Sequence, residues 1–261
     1  RSNLRPALVL AGLLIATVLV WQASLSGPDG SLHLTLLDVG DGEAVLIETP
    51  DGRYLLIGDG ESATQLSDGQ IGIDALQAAL LESVQPSKDR AGLAALEQLK
   101  ALPAVLPRYS PASLWWAGDP SGSPASGQVY TWAVQHNVPL AEIEVGQTLE
   151  LGRGAQIRTL AVSADGAVLL VSWDGFRCLL PLGAAKAQLA SPDVIIYSRE
   201  VSALLLSRSG DLDYNRLQAA RPQLVLLSVS AFNRGKLPDA EVLELLDGYP
   251  ILRTDMNGSI E

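Results

Sequence analysis

The sequence predicts a mixed α/β fold, a four-layer αββα sandwich in which helices cover two facing β-sheets, preceded by one transmembrane helix. Three observations predict it: an apolar uncharged stretch opens the chain, short apolar runs bounded by Gly, Pro and Asp follow, and two blocks each run from strands to helices. Hydrophobic residues make up 48% of the 261 residues and charged residues 18%, which predicts a large core and excludes a disordered chain.

The first segment of the chain is typical of a membrane helix. No residue between positions 6 and 28 is charged, and such a run is long enough to cross a hydrocarbon core of about 30 Å. Arg1 and Arg5 precede it, so the positive-inside rule predicts that the rest of the chain lies outside the cytoplasm. We predict a transmembrane helix over residues 1-26, the last of a longer membrane region, and one extracytoplasmic domain over residues 27-261. A cleaved signal peptide is the alternative, and it also predicts export.

The rest of the chain alternates between apolar strand-like runs and Ala/Leu-rich helical runs. The predicted strands are Ser31 to Val39, Glu43 to Thr49, Arg53 to Ile57, Leu114 to Ala117, Ala155 to Val162, Val168 to Trp173, Phe176 to Leu182, Asp193 to Tyr197, Leu224 to Val229 and Ile251 to Thr254. The predicted helices are Ile71 to Leu81, Asp89 to Leu102, Val129 to His136, Leu212 to Ala220 and Pro238 to Leu246.

Composition excludes several kinds of functional site. The formal net charge is -11, and an acidic surface repels phosphate backbones, which excludes nucleic-acid binding over a whole face of the protein. Cys178 is the one cysteine, so an internal disulfide and a Cys-rich zinc module are excluded. His33 and His136 are the two histidines, which are too few for a conventional polyhistidine metal centre.

Both ends of the predicted domain resemble a known family. The run Leu37-Asp-Val-Gly-Asp-Gly-Glu-Ala44, followed by a hairpin over residues 50–57, resembles the opening of the metallo-β-lactamase-fold domain of ComEC-type DNA-internalisation competence proteins. Residues 221–229 and Leu252-Arg-Thr-Asp255, with Asn257-Gly258, resemble its closing pattern. The resemblance implies the four-layer fold of that superfamily. It also implies a role in transformation, in which such proteins carry single-stranded DNA across the membrane.

The middle of the chain departs from the family at its metal-binding signatures. In the family, a His-x-His-x-Asp-His signature, an acid after a later strand, a histidine pair and a last histidine surround one or two metal ions that activate water. The positions of this chain that correspond to those signatures are Gln85, Ser87, Asp89, Arg90, Ala184, Arg199, Glu200 and Leu237. None of them is a histidine, so the resemblance implies a metal site that has degenerated.

We therefore predict a membrane-anchored, catalytically inactive domain without catalytic residues, metal or cofactor. It is expected to act as a scaffold or docking module for an upstream membrane channel region or other DNA-uptake components, and to meet single-stranded DNA only indirectly. One alternative is a nuclease or phosphodiester hydrolase that holds zinc or manganese in a rearranged acidic site; its residues are Asp38, Asp59, Asp89 and Asp193. The other alternative is an anchored extracytoplasmic binding module unrelated to DNA.

Overall fold

The structure, a computed structural model, describes ten parts of the chain: residues 28–39, 43–58, 92–95, 106, 111–117, 124–163, 166–182, 189–206, 214–229 and 238–261. Two of the predicted segments, residues 1-26 and the helix Ile71 to Leu81, lie outside these ranges.

The first sheet contains six strands in the order of the sequence. They are β1 (His33–Leu36), β2 (Ala44–Glu48), β3 (Tyr54–Gly58), β4 (Gly92–Ala95), β5 (Ser113–Trp116) and β6 (Leu140–Glu142). β1, β2 and β3 are antiparallel neighbours, and β3 to β6 run parallel to one another. β1, β2, β3 and β5 confirm predicted strands, whereas β6 was not predicted.

The hairpin between β2 and β3 follows from its Pro-Asp-Gly sequence. Gly52 has a φ of 78°, which a residue with a Cβ adopts only under strain. Its amide donates to the Thr49 carbonyl at 2.8 Å, and the Thr49 amide donates to the Arg53 carbonyl at 2.7 Å. The turn thereby fixes the register of the two strands.

The second sheet contains seven strands, again in sequence order across the sheet. They are β7 (Thr148–Gly152), β8 (Ala155–Ser163), β9 (Gly166–Trp173), β10 (Phe176–Leu182), β11 (Ala203–Leu206), β12 (Leu224–Leu227) and β13 (Ile251–Arg253). β7 to β10 are antiparallel neighbours, and β10 to β13 run parallel. Five of these strands confirm predictions, while β7 and β11 were not predicted.

Three separate apolar clusters lie between four layers of secondary structure. The described helices are α1 (Pro124–Gln135), α2 (Pro192–Tyr197), α3 (Tyr214–Ala220), α4 (Ala240–Leu245) and α5 (Thr254–Asn257). One cluster lies between the two sheets, a second joins the first sheet to α1, and a third joins the second sheet to α2, α3 and α4. The order of layers is therefore helix, sheet, sheet, helix.

Alternation along the strands divides the side chains between these clusters. In β2, Val45 and Ile47 belong to the cluster between the sheets, whereas Leu46 belongs to the cluster under α1. In β10, Leu180 faces the other sheet and Leu179 faces the helices. Successive side chains of a strand point to opposite faces, so strands covered on both faces need continuous apolar runs.

One predicted strand is a helix in the structure. Asp193 to Tyr197 is rich in β-branched residues, which favoured a strand, but the segment forms α2. The Ser191 side chain accepts a hydrogen bond from the Val194 amide, Pro192 occupies the first turn, and Asp193 lies beside the helix amino terminus. These are helix-start signals, and they outweigh the strand propensity of the short run that follows.

The predicted helix over Asp89 to Leu102 is also wrong where the structure describes it. Residues Gly92–Ala95 form β4, which pairs in parallel with β3 on one side and β5 on the other. The backbone of β4 thus supplies the hydrogen-bonding partners of two sheet strands. Long-range pairing outweighs the helical spacing of the apolar residues.

The predicted fold class needs one correction, because it included a transmembrane helix before the sandwich. None of the helices in the ranges described above is long and apolar enough to cross a membrane. α1, with 12 residues, rises about 18 Å, less than the hydrocarbon core of about 30 Å. The supported fold is the mixed α/β sandwich, and an extracytoplasmic location stays a prediction.

We expect Leu180→Ala to lower the free energy of unfolding by about 2–5 kcal/mol, because it opens a cavity between the sheets. Leu180 is fully buried. The matched control is Leu243→Ala on α4, where the leucine side chain is 38% exposed and a change below about 1 kcal/mol is expected. Urea unfolding of both variants measures the difference, and equal losses would contradict the layer assignment.

We expect Ser191→Ala to lower the free energy of unfolding by about 1 kcal/mol, because the Val194 amide loses its acceptor. Ser191→Asp keeps an acceptor at the same position and should retain most of the stability. Chemical denaturation of the two variants distinguishes a helix start from a strand, since a strand has no use for the cap. Equal stability of the two variants would show that Ser191 does not start a helix.

Candidate functional site

Both sheets have parallel strands whose carboxyl ends reach the same edge of the molecule. The chain leaves β13, passes through α5 and returns to pair with the end of β1: the amides of Leu36 and Ile260 donate to each other's carbonyls at 2.8 and 2.9 Å. The residues at this edge, 37–39, 228–229 and 254–260, are called the carboxyl-end edge below. In α/β sheets, ligands are bound outside the carboxyl ends of the strands, so this edge is the candidate site.

Asp38 lies at this edge directly after β1. Its neighbours Leu37 and Val39 are fully buried, which holds the half-buried Asp38 on the opposite side of the chain from their cluster. The Asp38 amide donates to the Ser259 hydroxyl at 3.1 Å. The end of β1 and the segment after α5 are therefore fixed to each other at the position of a candidate carboxylate.

A second charged group lies where β13 ends. The Arg253 guanidinium donates to both carboxylate oxygens of Asp255, at 2.9 and 2.7 Å, and the two side chains are only 20% and 13% exposed. Such a fork satisfies both oxygens of the carboxylate. A divalent cation at Asp255 would have to displace the guanidinium, so the pair is better suited to hold α5 than to bind a metal.

Thr254 connects this pair to the neighbouring strand. Its side chain is buried, and its hydroxyl accepts from the Val229 amide and donates to the Val229 carbonyl, each at 2.8 Å. The Asn257 side chain accepts from the Arg253 amide at 3.1 Å. Sequence reasoning recognised Leu252 to Asp255 as part of a closing pattern but did not include Arg253 or Asp255 among the site residues. Polar residues directly after a buried strand were the signal that could have found them.

The predicted positions Arg199 and Glu200 lie away from this edge. They belong to the turn before β11, and Ser202, two residues after Glu200, exchanges hydrogen bonds with Arg177 at the start of β10. Because β10 and β11 are parallel, this turn lies at the amino ends of both strands, opposite the carboxyl-end edge. The carbonyl of Arg199 accepts from the Arg177 guanidinium at 2.7 Å, and Glu200 is exposed with a φ of 55°.

Asp193, one of the acids of the alternative hydrolase site, lies in the first turn of α2 on the helix side of the second sheet. It is exposed and makes no hydrogen bond or ion pair with another described residue. The structure thus does not join it to Asp38. The remaining predicted positions lie outside the described residues: Asp59, Gln85, Ser87, Asp89, Arg90, Ala184 and Leu237.

Neither histidine lies at the carboxyl-end edge. His33 begins β1, and its two ring nitrogens face the Glu261 carboxylate at 2.5 Å and the Asp29 carboxylate at 3.0 Å. His136 follows α1, where its ring stacks on Trp132 at 4.4 Å and its Nδ1 donates to the Trp132 carbonyl at 2.8 Å. Each histidine therefore lies before or at the start of a strand and is occupied with local partners.

The described residues do not fit a zinc site. They contain no group of three or more His, Cys, Asp or Glu side chains that could hold a metal ion. The single cysteine is unsuitable as well, because burial between the sheets raises the pKa of the Cys178 thiol to about 12. A neutral thiol is neither a good ligand nor a nucleophile at physiological pH.

Solved structures of other proteins are similar to this chain. Zn²⁺-bound PqqB from Methylobacterium extorquens is 11% identical, with a TM-score of 0.52 over 84% of this chain and 87% of that one. A Thermotoga maritima protein assigned to the Zn-dependent hydrolases of the metallo-β-lactamase superfamily is 11% identical, with a TM-score of 0.44 over 85% of this chain and 98% of that one. The chain is thus similar in fold to Zn²⁺-bound PqqB.

The short form of human tRNase Z is also similar, at 10% identity and a TM-score of 0.48 over 75% of this chain and 92% of that one. No protein-family model matches the chain, and no curated protein matches it in sequence. At such identities the likeness shows the fold alone, because one fold supports many activities.

We expect Thr254→Val to destabilise the protein by about 1–3 kcal/mol, because it leaves the buried Val229 amide and carbonyl without their side-chain partner. Thr254→Ser keeps the hydroxyl and is the matched control. Thermal or urea unfolding gives the difference in stability. If the two variants were equally stable, the hydroxyl would not be what joins the ends of β12 and β13.

Proposed function

We propose that this chain is a catalytically inactive metallo-β-lactamase-fold domain that acts as a scaffold or docking module in a ComEC-type DNA-uptake system. The observation that carries the proposal is the placement of the two histidines of the chain. His33 is enclosed by two carboxylates at the start of β1, and His136 is stacked on Trp132 after α1. His33 is at the end of β1 opposite the carboxyl-end edge, and His136 lies in the turn between α1 and β6, so neither is at the edge where a superfamily active site would be expected.

Ligand chemistry supports the loss of the metal site. A zinc ligand must present a lone pair on a deprotonated atom about 2 Å from the ion, and several such atoms must converge. Both nitrogens of His33 face acceptor oxygens, and Nδ1 of His136 donates to a carbonyl. The positions that correspond to the signature histidines carry Gln85, Ser87 and Arg90, and an arginine beside a surviving Asp89 repels a cation.

The role in DNA uptake rests on the opening and closing patterns of the domain. These patterns, Leu37 to Ala44 and Leu252 to Asp255, contribute Asp38 and Asp255 to the carboxyl-end edge and Arg253 to the adjoining end of β13. There they hold β1 and β13 in place through hydrogen bonds, which is a structural use of these residues. The edge is therefore kept as a structural feature although no histidine of the chain is found there, as we expect of a scaffold.

The charge of the chain favours a protein partner over DNA. A net charge of -11 opposes close contact with a phosphate backbone. The proposed partners are therefore the membrane channel region or other proteins of the uptake machinery, and single-stranded DNA is met only through them.

We expect the purified chain to retain no metal after incubation with zinc and manganese followed by desalting. Elemental analysis by mass spectrometry gives the stoichiometry, with a zinc-bound superfamily protein such as PqqB treated in parallel as the positive control. A ratio near zero supports the proposal. One or more tightly held ions per chain, lost in Asp38→Asn or Asp89→Asn, would contradict it and favour the rearranged acidic hydrolase.

Two further experiments separate scaffold from enzyme and from a module unrelated to DNA. A variant that combines Gln85→His, Ser87→His and Arg90→His should not restore nuclease activity, because Ala184 and Leu237 still provide no metal ligand.

In the source organism, deleting the domain should reduce transformation frequency, whereas Asp89→Ala should leave it unchanged. Loss of transformation in Asp89→Ala would indicate catalysis, and no loss on deletion would indicate a function unrelated to DNA.

A further inference from the structure

The last residues of the chain, Ser259 to Glu261, lie along the free edge of the first sheet and are called the strap. The amides of Leu36 and Ile260 donate to each other's carbonyls at 2.8 and 2.9 Å, which makes the strap a short antiparallel neighbour of β1. The Ser259 hydroxyl accepts from the Asp38 amide at 3.1 Å. The strap is thus attached to β1 in its middle and to the carboxyl-end edge at one end.

A histidine between two carboxylates forms the other attachment. Nδ1 of His33 lies 2.5 Å from Oε1 of Glu261 in the strap, and Nε2 lies 3.0 Å from Oδ2 of Asp29 in the segment before β1. Carboxylates only accept hydrogen bonds. A neutral imidazole has one N–H, so it can satisfy one carboxylate, whereas the imidazolium donates to both.

We propose that His33 is a pH-dependent clasp that fastens the strap to β1 when its ring is protonated and loosens it when the ring is neutral. Through Ser259, the state of the clasp sets how firmly the Asp38 segment is held at the carboxyl-end edge. The clasp is independent of the proposed role in DNA uptake, because it rests on the hydrogen bonds of His33 alone.

The carboxylates around His33 favour its protonated form. Besides Asp29 and Glu261, the residue opposite His33 in the β1–β2 pair is Glu48. The nearby cation is Arg153 from the turn before β8, whose guanidinium lies against Gly30 and pairs with Asp51 at 3.6 Å. Arg153 is therefore neutralised by a carboxylate of its own, and the immediate surroundings of the imidazole are negative.

These contacts determine whether the clasp is stronger at low or at high pH. The hydrogen bond to Glu261 raises the pKa of His33, partial burial works in the opposite direction, and the hydrogen bond to Asp29 raises the pKa again. With a folded pKa above the ordinary value of about 6.5, the stabilisation is fully present below that value. It is lost as pH rises through the folded pKa. All three side chains are at least a third exposed, so salt should weaken the effect.

The experiment follows the amides of Leu36 and Ile260 by hydrogen exchange in the purified chain of residues 1–261 from about pH 5.5 to 8.5, with His33 titrated by NMR in the same samples. His136, the other histidine of the chain, is the internal reference. We expect the protection factors of both amides, corrected for intrinsic exchange, to fall several-fold as His33 loses its proton, while amides of the β2–β3 hairpin stay constant.

Variants separate the clasp from a general effect of pH. His33→Gln should abolish the pH dependence at Leu36 and Ile260, and Glu261→Gln should lower the pKa of His33 and keep the fold. Glu48→Gln removes a charge across the strand without removing a hydrogen bond of the clasp, so its protection profile should retain its amplitude. Protection that is constant through the titration of His33, or that declines equally in His33→Gln, would overturn the proposal.

Discussion

The rest of the structure depends on one constraint, that each sheet is covered on both faces. The facing sheets share one apolar cluster, and the helices on the outside close two more. Strands such as β11, with four consecutive buried residues, and β12, with three, have no side free for chemistry. A charged side chain inside these clusters would lose its contact with water. Asp38, Arg253 and Asp255 occur instead where strands finish.

The same constraint means that the residues that specify the fold differ from those that could carry an activity. Burial of alternating apolar side chains specifies the two sheets, and a similar fold occurs in PqqB at only 11% identity. Apolar side chains at strand ends, such as Leu36 and Leu227, belong to the clusters between the layers, whereas polar side chains at these ends lie outside them. One fold supports many kinds of site, so the same sandwich can carry different polar side chains at its strand ends.

Much of the fold could be predicted from the sequence, because short apolar runs between Gly and Asp turns specify β2, β3, β9 and β10 locally. The errors arose where local and distant signals compete. The run Asp193 to Tyr197 has strand propensity, but Ser191 and Pro192 start a helix there. β4 is a strand because two neighbours need its backbone, and no local pattern contains that information.

Of the candidate site, only the number and type of possible ligand residues could be predicted from the sequence. Counting two histidines needs no structure, whereas the location of Arg199 and Glu200 at the amino ends of the strands follows from the parallel pairing of β10 with β11. That pairing joins segments far apart in the chain. Residues aligned to a motif by sequence can therefore lie at the wrong edge of a sheet.

The pairing of Ile260 with Leu36 has a consequence for how copies of the protein meet. β1 is an outer strand of the first sheet, and an unpaired outer strand is a template on which another polypeptide can add. The strap occupies the amide and carbonyl of Leu36 and places the charged Glu261 beside it. It thereby covers the part of the strand edge at which edge-to-edge assembly of two copies would begin.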